Sequence, residues 1–149
     1  MVSAQELHDE AKRATNAGRH ERALVLVARA RALTADPDLL ALLDGTAAYA
    51  EVERGHLSLA HDLCDAALAR AASEPVLGIL LGQRAVVLTR RGHLDEALAD
   101  FGAAVERLAG RPEYPGRFLA AEPVPDDRRL RGVLLGRAGG DRRSDRANA

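Results

Sequence analysis

The stretch Gly92-His-Leu-Asp-Glu-Ala-Leu-Ala-Asp-Phe-Gly-Ala-Ala104 decides the reading of this chain, because its spacing recurs. One alanine stands five residues after the glycine and another stands twelve after it. The same pattern is met at Gly55, Ala60 and Ala67 and at Gly18, Ala23 and Ala30, so the copies lie 37 residues apart. A fixed period of roughly 20–50 residues marks a stacked repeat, in which each unit buries its apolar face on its neighbours. Stacks of this kind present surfaces to partners and seldom carry chemistry, so a binding module is expected rather than an enzyme.

Working outward from the glycines, each copy reads as two helices. Leu7, Ala11 and Ala14 precede Gly18 on one helical face, and Ala23, Leu24, Val27 and Ala30 follow it at helical spacing. The glycine supplies the left-handed residue that ends the first helix. Asp36-Pro37, Glu74-Pro75 and Arg111-Pro112 separate the copies, since proline opens a helix and cannot continue the one before. The spacing predicts helices at 3–17, 20–34, 37–54, 57–72, 75–91 and 94–109. A further alanine lies seven residues before each glycine, at Ala11, Ala48 and Ala85. It is expected to face the alanines of the second helix across a tight crossing, where only a small side chain fits.

The fold class is therefore all-α: an α-solenoid of three helix hairpins (about 3–36, 37–74 and 75–111) with an irregular C-terminal tail. A fourth copy fails. One period after Gly92 stands Arg129, and the alanine positions become Leu134 and Asp141. Glu122-Pro-Val-Pro-Asp-Asp127 blocks a continuous helix, and Arg128-Arg-Leu-Arg-Gly-Val-Leu-Leu-Gly-Arg137 is the only apolar patch there. Residues 111–137 read as a capping segment and 138–149 as a disordered tail. Leu98, Phe101, Val105 and Leu108 of the sixth helix need a cover, which Phe118-Leu119, in a short helix from Pro112, is expected to supply in part. Residues 118–137 read either as that cap or as a filling of the groove described below. Uncapped, the last repeat is expected to self-associate.

Composition agrees. The chain has 149 residues, one domain in size, and is 47% hydrophobic but only 3% aromatic. The apolar content is mostly Ala, Leu and Val, which suits close helix packing and not a β fold. The net charge of −1 gives no pull toward nucleic acid or membrane. Residues 1–110 carry 12 Lys+Arg against 16 Asp+Glu, and residues 111–149 carry 9 against 6. No apolar run approaches the roughly 18 residues of a membrane span, and the N-terminus shows no secretory signal, so the cytoplasm is expected. Arg outnumbers Lys 20 to 1, which points to a GC-rich, bacterial coding sequence.

The segments Gly18-Arg-His-Glu-Arg-Ala-Leu24, Gly55-His-Leu-Ser-Leu-Ala60 and Gly92-His-Leu-Asp-Glu-Ala-Leu98 resemble the tetratricopeptide repeat. The likeness covers about 1–110. It departs in its period, 37 rather than about 34, and at one position: the large apolar residue eleven before the glycine is Leu7 and Leu81 in two copies but Asp44 in the other. More narrowly, the run from Leu77 through Thr89-Arg-Arg-Gly-His-Leu-Asp-Glu-Ala-Leu98 looks like the N-terminal repeat region of actinobacterial CHAT-domain proteins, which carry a caspase-like peptidase domain after many such repeats. No Cys–His pair here could serve such a domain. That resemblance implies helix continuing past Arg117-Phe118-Leu119 into a fourth repeat, whereas the pattern stops. The chain is then a truncated or frameshifted relative, or a free-standing short one.

Site chemistry is sparse. The lone Cys64 replaces Val27 and Phe101 of the other copies and reads as a small buried hydrophobe. His56 and His93 are equivalent, but stacked equivalents stand about 10 Å apart, too far to share a metal. They read as solvated turn residues, and Asp95, Glu96 and Asp100 as a solvated face. No metal or cofactor is expected. The repeat geometry the resemblance implies puts a concave groove on the first helices. Its wall is expected to comprise Gln5, His8, Lys12, Thr15 and Asn16 in one copy; Leu42, Gly45, Tyr49, Val52 and Glu53 in the next; and Ile79, Gly82, Val86, Thr89 and Arg90 in the last. The residues expected to bind are His8, Lys12, Asn16, Leu42, Tyr49, Val52, Ile79, Val86 and Arg90. The expected partner is a protein or peptide. The rival readings are a peptide-sensing repeat domain of a transcription regulator and a gene remnant with no function of its own.

Overall fold

A computed structural model describes residues 1–109 of the chain. The expected cap at 111–137, with Phe118-Leu119 and the helix from Pro112, and the tail at 138–149 lie outside the described residues. Six α-helices make up most of the described part: α1 (Ala4–Asn16), α2 (His20–Arg31), α3 (Pro37–Glu53), α4 (Leu57–Arg70), α5 (Glu74–Arg91) and α6 (Leu94–Leu108). They fall where periodicity places them, and α2 departs most, ending three residues early at Arg31. No strand occurs among the described residues.

The connections within pairs are built alike. Gly18, Gly55 and Gly92 have φ of 76°, 83° and 82°, the left-handed region that a side chain strains to enter. The next residue's N–H reaches back to the last turn each time: Arg19 to Ala14 O at 2.8 Å, His56 to Glu51 O at 2.8 Å and His93 to Leu88 O at 2.9 Å. The glycine N–H also bonds the carbonyl three residues back in all three copies. This pair of bonds satisfies carbonyls the helix end would leave open, and it recurs at all three turns.

The starts differ according to the residues available. The Ser3 hydroxyl accepts from Glu6 N–H at 3.1 Å, and Ser3 N–H donates to the Glu6 carboxylate at 3.0 Å, a reciprocal cap on α1. Asp36 caps α3 ahead of Pro37, and Ser73 caps α5 ahead of Pro75. The Asp38 carboxylate accepts from Ala72 N–H at 2.8 Å and Ser73 N–H at 3.2 Å, tying the start of α3 to the link between α4 and α5. Those backbone donors, Ala72 first, hold the Asp38 carboxyl below its usual range.

Each first helix packs most closely on the helix that follows its glycine, α1 on α2, α3 on α4 and α5 on α6. Second helices then meet the next first helix, α2 with α3 and α4 with α5, while α1, α3 and α5 touch in sequence. The alanines of the repeated pattern sit at these contacts. Ala11, Ala23, Ala30, Ala48, Ala60, Ala67, Ala85, Ala97 and Ala104 are all buried, none more than 4% exposed. The bulk between pairs comes from leucine and valine: Leu26, Val27 and Leu43 in one cluster, and Val76 and Leu80 in another.

Ala60→Leu or Ala97→Leu is therefore expected to lower stability by roughly 1–3 kcal/mol, because extra methylenes at a filled crossing force side chains off their rotamers. His93→Gln, on the exposed turn, is expected to cost less than about 0.5 kcal/mol. Chemical denaturation monitored by circular dichroism measures both. Equal costs at the two kinds of site would mean that these helix faces are misassigned.

Candidate functional site

The expected groove is made of equivalent positions on α1, α3 and α5, and the structure sorts them by row. Three rows face outward. Gln5 is exposed beside half-buried Leu42 and Ile79; Lys12 and Tyr49 are exposed, with half-buried Val86; and Asn16, Glu53 and Arg90 are exposed. Two rows are interior. Thr15, Val52 and Thr89 form one, and His8, Gly45 and Gly82 form the other. His8 and Val52, expected on the binding wall, therefore lie inside it.

The interior rows have local causes. Thr15 Oγ1 donates to Lys12 O at 2.7 Å and Thr89 Oγ1 to Ala85 O at 2.8 Å, so both hydroxyls are satisfied by their own helix. Val52 packs with Ala48, Ala60, Cys64 and Val87. In the other row, His8 and Gly45 stand where α1, α3 and α5 meet. A Cβ on Gly45 would stand 1.9 Å from Gln83 Oε1 and 2.9 Å from a Leu80 methyl, so the ends of two α5 side chains fill the space that glycine leaves on α3. His8 Nε2 lies 2.8 Å from Thr46 Oγ1, joining α1 to α3, and its Nδ1 has no partner among the described residues. Burial, helped by the charge of Lys12, pushes the His8 imidazole down to about 4, so it stays neutral near pH 7.

On the outward rows Tyr49 is 39% exposed, and its ring meets His20 in a tilted contact with centroids 6.5 Å apart. Lys12 pairs with Asp9 at 3.2 Å, and Arg90 with Glu53 at 3.1 Å across α5 and α3. Both are surface pairs and open easily. The outward face thus carries an aromatic ring and aliphatic neighbours between polar ends.

Two charged clusters were not foreseen. Asp44, on α3, is 2% exposed and lies between Arg31 of α2 and Arg70 of α4, the latter at 3.5 Å. Its departure from the leucine of the equivalent positions was visible in the sequence, but its partners were not. Arg84, on α5, holds Asp100 of α6 through two bonds of 2.7 and 3.0 Å and Asp65 of α4 at 3.1 Å. The Asp100 hydrogen bonds hold the Arg84 guanidinium still more firmly charged. Asp100, expected on a solvated face, is only 8% exposed, whereas Asp95 and Glu96 are exposed. His61, Asp65, Arg84, Leu88, Glu96, Ala99 and Asp100 line a cleft of about 310 Å³ between α4, α5 and α6.

Cys64 is fully buried, and burial raises its thiol to about 12, too high for a ready nucleophile. His56 Nδ1 lies 2.5 Å from the buried Glu51 carboxylate, which also accepts from Arg54 at 2.8 Å. No group of three or more His, Cys, Asp or Glu among the described residues is placed to hold a metal ion, and no described helix is long and apolar enough to cross a membrane. Comparison with protein-family models, with curated proteins and with solved structures finds no match in any of the three.

The lowered His8 value fixes a pH dependence. The unfolded chain binds a proton at His8 near 6.5 and the folded chain near 4, so stability is full above the first value and falls as pH drops toward the second. The loss attributable to His8 is up to about 3 kcal/mol. Melting temperatures of the wild type and His8→Leu, measured between these limits, check it: the variant should lose less stability on acidification. Parallel curves would contradict it.

Proposed function

We propose that residues 1–109 are an α-solenoid of three tetratricopeptide-like hairpins, related to CHAT-associated repeats, and act as a non-catalytic module. The module takes an extended peptide or a helix of a partner protein on the outward face of α1, α3 and α5. The observation that carries this reading is Tyr49, an aromatic left 39% exposed on α3 beside half-buried Leu42 of its own helix, with half-buried Ile79 and Val86 on the equivalent rows of α5. Aromatics in such settings dominate binding energetics, because they bury a large area at small entropic cost. Lys12 and Arg90 stand at the ends, where their pairs with Asp9 and Glu53 can exchange for acidic groups of the partner. Asn16 adds a polar contact beside them, while His8 and Val52 support the wall from inside.

The test is selection of binding peptides from a displayed random library against the full chain. Affinities of the selected peptides are then measured on Tyr49→Ala combined with Val86→Asp. Binding should weaken at least about 30-fold, the loss that defines a hot spot, while the melting temperature stays nearly unchanged. Peptides that bind the double variant undiminished would place the site elsewhere. A large loss of stability would mean that these two side chains belong to the core.

A further inference from the structure

The repeat lets one part of the molecule be read against another. Leu94, Leu98, Phe101, Val105 and Leu108 follow one another along α6 at intervals of four, three, four and three residues, the spacing of a helix-pairing seam. The equivalent faces of α2 and α4 are covered by the next helix: Val27 is 4% exposed against the cluster that includes Leu43 of α3, and Cys64 is 0% exposed against Val87 of α5. On α6 the described residues leave the same face uncovered, with Leu98 55% and Val105 62% exposed.

The other end of the stack is unlike it. Leu43, Ala47 and Ala50, which α3 buries, correspond one period earlier to Glu6, Glu10 and Arg13 on α1. The leading face of α1 is therefore charged. It offers no apolar complement to the face of α6, which disfavours head-to-tail stacking of copies.

We propose that the face of α6 docks α6 of a second copy, antiparallel, about a two-fold axis between Phe101 and Gly102. A two-fold interface requires a patch complementary to itself, and this one is. Rotation about that point sets Leu98 against Val105 of the second copy, and Val105 against its Leu98. It sets each Phe101 over the other copy's Gly102. Gly102 is exposed and interior to α6, a position where glycine weakens a helix relative to alanine. A Cβ there would meet nothing within 4 Å in the described residues, so nothing within the described part of one copy requires glycine. A phenyl ring arriving from a second copy does. This surface lies on a different helix from the Tyr49 face, and the two proposals stand or fall separately.

The experiment uses the full chain. Sedimentation velocity should show a dimer that dissociates on dilution. Leu98→Glu should weaken dimerisation at least roughly 30-fold with its helical circular dichroism retained, since the side chain is exposed in the single copy. Gly102→Cys should form a disulfide-linked dimer under mild oxidation, whereas Ser58→Cys on exposed α4 surface should not; the one natural thiol, Cys64, is buried. A chain that stays monomeric at about 100 μM overturns the proposal and leaves α6 to residues 110–149 or another protein. A dimer in which Gly102→Cys fails to cross-link overturns the antiparallel register.

Discussion

Everything in this fold depends on how closely two helices can cross when the side chain between them is a methyl group. Alanine contributes little apolar area, so its burial alone does not hold a hairpin together. Its effect is geometric. With Ala11, Ala48 and Ala85 on the first helices and paired alanines on the second, the backbones approach closely, and longer side chains at the flanks interlock. The turn must then bring the second helix back onto the first, and the left-handed glycine and its two returning hydrogen bonds recur at all three turns. The larger residues, Leu7, Leu43, Leu80 and Leu88, fill what remains.

Methyl contacts hold helices close but fix their rotation poorly, and the two charged clusters supply what they lack. Asp44 reaches back to α2 and forward to α4, and Arg84 reaches back to α4 and forward to α6. The two anchors lie on consecutive first helices and carry opposite charge. A buried carboxylate brings little net stability, because desolvation offsets its attraction to the guanidinium groups. Removing its partners is another matter: the stranded charge costs about 3–5 kcal/mol. Helix rotations that would separate Asp44 from both Arg31 and Arg70 are thereby penalised.

The helices were legible in the sequence because their signals are local. Glycine needs only its own φ, proline only its own ring, and the alanine period only the helical repeat. The outward rows through Lys12, Tyr49 and Asn16 were legible for the same reason. What was not legible depends on a neighbouring helix. His8 and Val52 have the spacing of a groove wall, but α3 closes over His8 at Thr46, and Val52 sinks among Ala60, Cys64 and Val87. Asp100 reads as solvated until Arg84 arrives from α5. Asp44 was visible as an anomaly, and only the folded chain shows that two arginines, one from each neighbouring helix, converge on it.

The close alanine crossing is tested most directly by methyl nuclear Overhauser effects in the full chain, labelled at alanine. Ala48 and Ala60 share one core cluster across α3 and α4, and Ala41 and Ala67 share another. Cross-peaks within both pairs are predicted, since methyls meeting at such a crossing lie within the reach of the effect. If these alanines show contacts only within their own helices, or if larger side chains stand between them, the helices do not cross on their small residues and the account of the fold is wrong.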